Sequence, residues 1–304
     1  MLLYVLESTG SSPGRQGFFM AVNAKGEMEG SIGGGIMEHK FVELAKEKLK
    51  EANKQPQFTS VRKQLHYKAA TKDQSGMICS GEQTLFLYLV QPGDIEVVDQ
   101  IITALQLHKN GTLVLSPSGI QFETTVPEND FEFVFRDEED WLYKEKAGYK
   151  NQLFIIGGGH CALALSKMMQ PMDFYIRVYD DRIELKTMLE NEWAHEKHFV
   201  NAYADLHEMI PSGENHYVVV MTFGYRSDDV VLRALLNKNF KFMGLLGSKS
   251  KIEEMFEEYE AEGIKGDWLQ RIHTPVGLQI KSQTPEEIAV SIAAEIIRVK
   301  NQSL

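Results

Sequence analysis

Short apolar runs, broken by polar and glycine-rich turns, dominate the first half of the chain. Residues 2–7 (LLYVLE) and 18–22 (FFMAV) read as strands, as do 58–65, 83–89 and 112–115, each short and bounded by turn residues. Two segments carry the helical period instead. One is 38–52, just after a run of glycines. The other is 95–108, where Val97, Val98, Ile101, Ile102 and Leu105 recur at helical spacing. Strand signals prevail, so a mixed α/β domain is expected here. Between 131 and 152 the sequence turns charged and aromatic (FEFVFRDEEDWLYKEKAGYKNQ) and closes on a Gly-Tyr-Lys-Asn turn, which places a boundary near residue 148 and predicts domains 1–148 and 149–304.

Beyond that point strands and helices alternate. Strands are expected at 153–156, 175–179, 217–221 and 242–245, and helices at 160–169, 227–237, 249–262 and 285–299. Alternation of this kind predicts a parallel, doubly wound sheet, so the fold class is α/β. The last helix has its start written in the sequence: Thr284 as N-cap, Pro285 at the first helical position, and Glu286 and Glu287 in the first turn.

Charge narrows the ligand chemistry. The net charge is −11, with the acidic excess spread along all 304 residues. A duplex nucleic-acid binder needs a basic face, so that class is excluded, and an anionic ligand would have to be held mainly by main-chain N–H groups. The start of the chain carries no basic leader, and no apolar run approaches the roughly 18 residues of a spanning helix. A soluble cytoplasmic protein without a membrane partner is expected. The two cysteines, Cys79 and Cys161, are too few for a disulfide scaffold or a closed four-thiolate zinc site.

Gly157-Gly158-Gly159-His160-Cys161-Ala162 fits G-x-G-x-x-[GA] between a predicted strand and helix. The next strand ends in Tyr179-Asp180-Asp181-Arg182, with Asp180 21 residues after Gly159. In dinucleotide folds such glycines let the backbone approach a pyrophosphate at the helix N-terminus, and the acid binds ribose hydroxyls. The competing reading is a strand–helix turn that binds nothing. His160 is a candidate for contact with a phosphate or a ring, or a plain helix-capping residue; Cys161, among Ala162, Leu163, Ala164 and Leu165, reads as packing.

The first domain has three more glycine-rich loops. GSIGGGIMEH (30–39) opens a helix and offers amide donors and a positive dipole end to an anion. GSSPGRQG (10–17) adds the Ser11 and Ser12 hydroxyls and the Arg15 cation, and GMICSGE (76–82) places Cys79 beside Gly81 and Glu82. Each alone could be an ordinary turn. Together they suggest one anion-binding region, with Cys79 as a reactive thiolate or soft-metal ligand if N–H dipoles stabilise it.

In order along the chain, GSSPGRQGFFMAV, GSIGGGIMEH, SGMICSGEQ, IIGGGHCALAL…VYDDR, VVVMTFGYRSDD, FMGLLGSKSKI and RIHTPVGLQIKSQTPEEIAVSIAAEII resemble the XdhC/CoxI family of xanthine dehydrogenase accessory proteins. The resemblance implies an N-terminal XdhC/CoxI domain and a C-terminal Rossmann-like domain. It also implies a chaperone rather than a turnover enzyme. Such a chaperone binds molybdenum cofactor (molybdopterin), aids its sulfuration with a cysteine desulfurase, and delivers it to a xanthine dehydrogenase-type molybdenum hydroxylase of purine catabolism. On this reading Ser11, Ser12, Arg15, Gly33, Gly34, Gly35, Glu38, Gly81 and Glu82 would grip the cofactor and Cys79 would lie near the metal. Gly157, Gly159, His160, Asp180, Arg182 and Thr222 would form a second site at the other end of a shared cleft, open to the pterin phosphate or to a dinucleotide such as NAD(P). A homodimer is left open.

This chain departs from the family pattern in three places. Ile36 and Met37 stand where a cysteine is common, Pro13 is followed by Gly14 rather than arginine, and Thr222-Phe223 replaces Thr-His. The rival function is an NAD(P)-dependent oxidoreductase with His160 as acid–base group, although no paired His/carboxylate or Tyr/Lys arrangement supports it. A scaffold that only docks the two partner enzymes is a third reading. The chain lacks an iron–sulfur cysteine set, which excludes xanthine dehydrogenase itself.

Overall fold

The computed structural model describes residues 1–52, 56–65, 81–264 and 266–302. Cys79 therefore lies outside the described residues. The chain divides into two compact units, Met1–Gly148 and Tyr149–Leu304.

The first unit runs β1 (Leu2–Gly10), β2 (Phe19–Val22), β3 (Met28–Gly30), α1 (Gly35–Glu51), β4 (Thr59–Leu65), β5 (Gly81–Tyr88), α2 (Asp94–Gln106), β6 (Gly111–Ser116), β7 (Gly119–Glu123), β8 (Phe131–Phe135) and β9 (Trp141–Ala147). Strands β3-β2-β1-β5-β4 make one antiparallel sheet and β7-β6-β9-β8 a second. Strand β1 is buried on both faces, which is why it reads as a continuous apolar run instead of alternating. Leu3 and Val5 pack with Met37, Phe41 and Ala45 of α1, while Tyr4 and Leu6 pack with Leu115, Trp141 and Tyr143 of the second sheet.

Residues 131–148, whose charge marked them as a boundary stretch, supply two strands. Phe131 and Phe133 alternate with Glu132 and Val134, and buried Trp141 and Tyr143 alternate with Leu142 and Lys144. The period of two was present, but the outward-facing charges masked it. Helix α2 also differs from expectation: Val97, Ile101 and Ala104 are half-buried, whereas Val98, Ile102 and Leu105 face outward. The helix contacts β7, the edge strand of the small sheet, and so has little apolar surface to cover.

The second unit runs β10 (Asn151–Ile156), α3 (His160–Met169), β11 (Phe174–Asp180), α4 (Lys186–Leu189), β12 (Glu196–Phe199), α5 (Leu206–Met209), β13 (Gly213–Val220), α6 (Tyr225–Leu235), β14 (Phe240–Leu245), α7 (Lys249–Ala261), α8 (Gly266–Leu269), β15 (Ile272–His273) and α9 (Pro285–Asn301). All six strands are parallel, in the order β12-β11-β10-β13-β14-β15. Leu153 and Ile155 of β10 face the core shared with α3 and α9; Phe154 and Ile156 face the core shared with α6 and α7. This is the doubly wound sheet the alternation predicts. The order reverses between β10 and β13, and open α/β sheets bind ligands beside such a switch point, at the carboxyl ends of the strands.

Helix α9 begins as its sequence predicts, with a full capping box between Thr284 and Glu287. Further along, buried Glu295 accepts hydrogen bonds from the Gly277 amide (2.6 Å) and the Arg298 guanidinium (3.0 Å), and it pairs with His273 Nδ1 at 3.1 Å. One carboxylate thus ties the segment after β15 to the last helix. No helix among the described residues is long and apolar enough to cross a membrane. Glu295→Ala is expected to lower the stability of the full chain by about 2–3 kcal/mol, and Glu295→Gln by less, because a charged acceptor for buried donors is lost. Urea unfolding followed by circular dichroism measures both.

Candidate functional site

The first unit brings loops 10–17 and 30–35 together, beside Gly81. Pairing of Gly10 with Gly81 sets Ser11 and Ser12 beside the start of β5. The buried Gln83 amide of β5 then donates to the carbonyls of Gly14 (3.0 Å) and Ile32 (3.2 Å), tying the two loops to that strand. Gly33 has φ +128°, and a Cβ there would lie 2.5 Å from the Gly14 nitrogen, so both backbone conformation and close approach demand glycine. Ser12 is buried and donates to the Gly14 carbonyl at 2.8 Å. Ser11 and Arg15 stay exposed, with Arg15 Nη1 donating to the Gly10 carbonyl at 3.0 Å, and Glu82 pairs with Lys63 at 2.6 Å.

The amides of the turn before α1 are taken by the protein itself. Glu38 Oε2 accepts from the Ser31 hydroxyl (2.6 Å), the Ile32 amide (3.0 Å) and the Gly34 amide (3.0 Å), and the Gly33 amide donates to Ser31 Oγ (3.1 Å). Burial pushes the Glu38 carboxyl up, but these donors outweigh it and hold its pKa below the usual carboxylate value. The turn is an anion site whose anion is a side chain. Among the described residues no group of three or more His, Cys, Asp or Glu could hold a metal ion. A cleft of about 680 Å³ in this unit, lined by Arg62, Lys63, Phe133 and Phe135 among others, contains none of the predicted site residues.

In the second unit the turn Gly157–His160 follows β10 and leads into α3 without a side-chain cap. Gly157 has φ +105°, and a Cβ there would collide with the Met221 carbonyl, so the loop after β10 lies directly against the loop after β13 at the switch point. The first-turn amides of Gly159, His160 and Cys161 have no carbonyl within the helix to bind, and His160 is exposed at the same end. Cys161 is half-buried; burial, then the nearby Glu286 charge, push its thiol up, which suits packing and not nucleophilic attack.

Asp180 is fully buried, and both its oxygens are engaged. Oδ1 accepts from the Arg182 amide (2.9 Å) and Nε (2.8 Å), and Oδ2 from the Gly158 amide (2.7 Å) and Arg182 Nη2 (2.7 Å). Burial raises its pKa, but the Arg182 side chain and the two amides prevail and leave it depressed. Arg182, thus anchored, lies over the Phe223 ring at 5.8 Å. Thr222 Oγ1 donates to Asp228 (2.5 Å), a buried carboxylate that also accepts from Lys251 Nζ (3.0 Å). Asp228 and Lys251 were not singled out from the sequence. The available signal was an acid in register with the buried Val231, Leu232 and Leu235 of α6, which predicts an inward-facing carboxylate that needs partners.

Comparison with known proteins follows the same division. Residues 1–62 match the XdhC and CoxI family, and residues 153–296 match the XdhC Rossmann domain. The chain belongs to the XdhC/CoxI family. It is 25% identical over 305 aligned positions to the uncharacterized protein YqeB of Escherichia coli K12, an alignment covering 98% of this chain and 43% of that protein. It is 33% identical over 84 residues to a Bacillus subtilis 168 protein described as a probable xanthine dehydrogenase component, covering 28% of this chain and 23% of that protein. The chain therefore spans less than half the length of either relative. A crystal structure described as a xanthine dehydrogenase from Bacillus halodurans superposes with a TM-score of 0.70 at 22% identity, covering 100% of this chain and 92% of that one, and so shares the fold.

Two expectations follow from this XdhC/CoxI geometry. Gly33→Ala should cost about 1–3 kcal/mol or more, from a left-handed backbone conformation denied and the contact with Gly14 forced apart, read as a drop in urea midpoint. Asp180 has a folded pKa below its unfolded value of about 3.9, so its contribution is complete above that value and lost as pH falls through the folded pKa. Asp180→Asn should lower stability at pH 7 and flatten the loss below about pH 4, measured by denaturation across pH.

Proposed function

We propose that this protein binds the molybdenum cofactor and serves the maturation of a xanthine dehydrogenase-type molybdenum hydroxylase. The observation that carries the reading is the family match at both ends of the chain, over the XdhC and CoxI segment and over the Rossmann segment. The cofactor combines a phosphate, a hydrogen-bonding pterin and a dithiolene-held metal. When bound, it would supply a metal centre for oxo-for-sulfido exchange, with a cysteine desulfurase as sulfur source.

Neither helix has a side-chain cap, so the two turns differ in the charge beside their amides. At α1 the Glu38 carboxylate already accepts from the amides of Ile32 and Gly34 and would repel a second anion. At α3 the amides of Gly159, His160 and Cys161 meet no capping side chain, and Arg182 supplies a cation to the same end of the sheet. The chain's own part is to bind and orient, and the turn before α3 is where the phosphate is held. An NAD(P)-dependent oxidoreductase would need Asp180 for ribose hydroxyls, and that carboxylate is fully engaged within the protein.

The test is to purify the protein from cells that make the cofactor, oxidise the released ligand, and measure pterin fluorescence and molybdenum. The loaded protein is then incubated with a cofactor-free hydroxylase. Near-stoichiometric pterin and restored hydroxylase activity are expected; absence of both would overturn the reading.

A further inference from the structure

Phe223 is the anomaly of the second unit. Its ring is 89% exposed, directly after the Thr222 that is tied to Asp228, in the loop that presses against Gly157. A phenyl ring held almost wholly in water on an anchored loop gains nothing from packing. Its one described aromatic or cationic neighbour is Arg182, 5.8 Å from the ring centroid. Arg182 is itself pinned by three hydrogen bonds to Asp180, through its amide, Nε and Nη2, which leaves Nη1 as the side-chain nitrogen without a described partner. Its side chain is 39% exposed.

We infer that Phe223 and Arg182 form a stacking platform for the flat heteroaromatic ring of a phosphate-bearing ligand that makes no ribose-diol contact. The inference rests on the cofactor-binding reading above and names the part of the site that reads the ring. Arg182 lies over one face of the ring, which leaves the other face to stack a planar, hydrogen-bonding heterocycle while guanidinium Nη1 can donate at its edge. The ribose exclusion has a separate cause. Each Asp180 oxygen already accepts two hydrogen bonds, and the carboxylate has no solvent exposure, so a vicinal diol finds no acceptor where dinucleotide folds place one. A pterin carrying a phosphate monoester meets these conditions; an adenine dinucleotide forfeits its ribose anchor.

Calorimetric titration of the full chain with a pterin phosphate monoester, inorganic phosphate and NAD+ tests this. Wild-type protein should bind the pterin phosphate at least roughly tenfold more tightly than either comparator, the excess over phosphate reporting the stacked ring. Phe223→Ala should remove roughly tenfold of that affinity without moving the thermal midpoint, because the ring is exposed, and Phe223→Trp should retain it. If pterin phosphate binds equally to wild type and Phe223→Ala, the platform is wrong while the cofactor-binding function stands. Binding of NAD+ as tight as that of pterin phosphate would overturn the ribose exclusion. No binding of pterin phosphate by wild-type protein would overturn the inference, and the function would then be judged by whether cofactor co-purifies.

Discussion

Every helix begins with amides that no carbonyl of its own can reach, and at both glycine turns the helix starts without a side-chain cap while a carboxylate binds main-chain amides of the turn before it. At α1 the Glu38 carboxylate folds back onto the amides of Ile32 and of the N-cap Gly34, so an acid of the helix's own first turn holds its entry. At α3 the acid that binds the turn is Asp180, which takes the Gly158 amide just before the helix and is paired with Arg182. The same local sequence feature, glycines before a helix, thus yields one turn held by an acid of the helix itself and one held by a distant acid that is paired with an arginine. The difference lies in where a single acid is placed.

Carboxylates recur as internal ties throughout the molecule. Glu38 holds the α1 turn, Asp180 holds the glycine turn to Arg182, Asp228 joins Thr222 to Lys251, and Glu295 fastens Gly277 to α9. An ionised carboxylate accepts several charge-assisted bonds from one position, which suits it to organising loops rich in amide donors. Part of the acidic surplus is therefore spent inside loops, where it sets geometry, and does not report on the charge of a ligand. In the second unit this arrangement concentrates the open donors, a fixed cation and an exposed ring around the switch point of the sheet.

Much of the architecture was legible because it is local. The parallel sheet followed from alternating strand and helix patterns, and the start of α9 from Thr284, Pro285 and Glu287, whose capping geometry depends on near neighbours alone. Strands β8 and β9 were harder to read, since Phe131, Phe133, Trp141 and Tyr143 face inward only because the first sheet lies beneath them. Their charged outward neighbours resemble a linker when no partner sheet is in view. The outward apolar stripe of α2 has the same origin: periodicity predicts an amphipathic helix but does not say how wide a surface is available to cover.

The site divides along the same line. Sequence alone determined which residues could serve it: the glycines that permit tight turns, the acid at the end of β11, and the hydroxyls and cations nearby. Tertiary structure decided what each of them does. Hydrogen bonds are saturable and directional, so whether Asp180 meets a ligand or Arg182, and whether the amides just before α1 meet a phosphate or Glu38, depends on which partner the folded backbone brings within 3 Å. Phe223 shows the reverse case, since an aromatic residue is expected in a core, and only the folded loop leaves its ring in water.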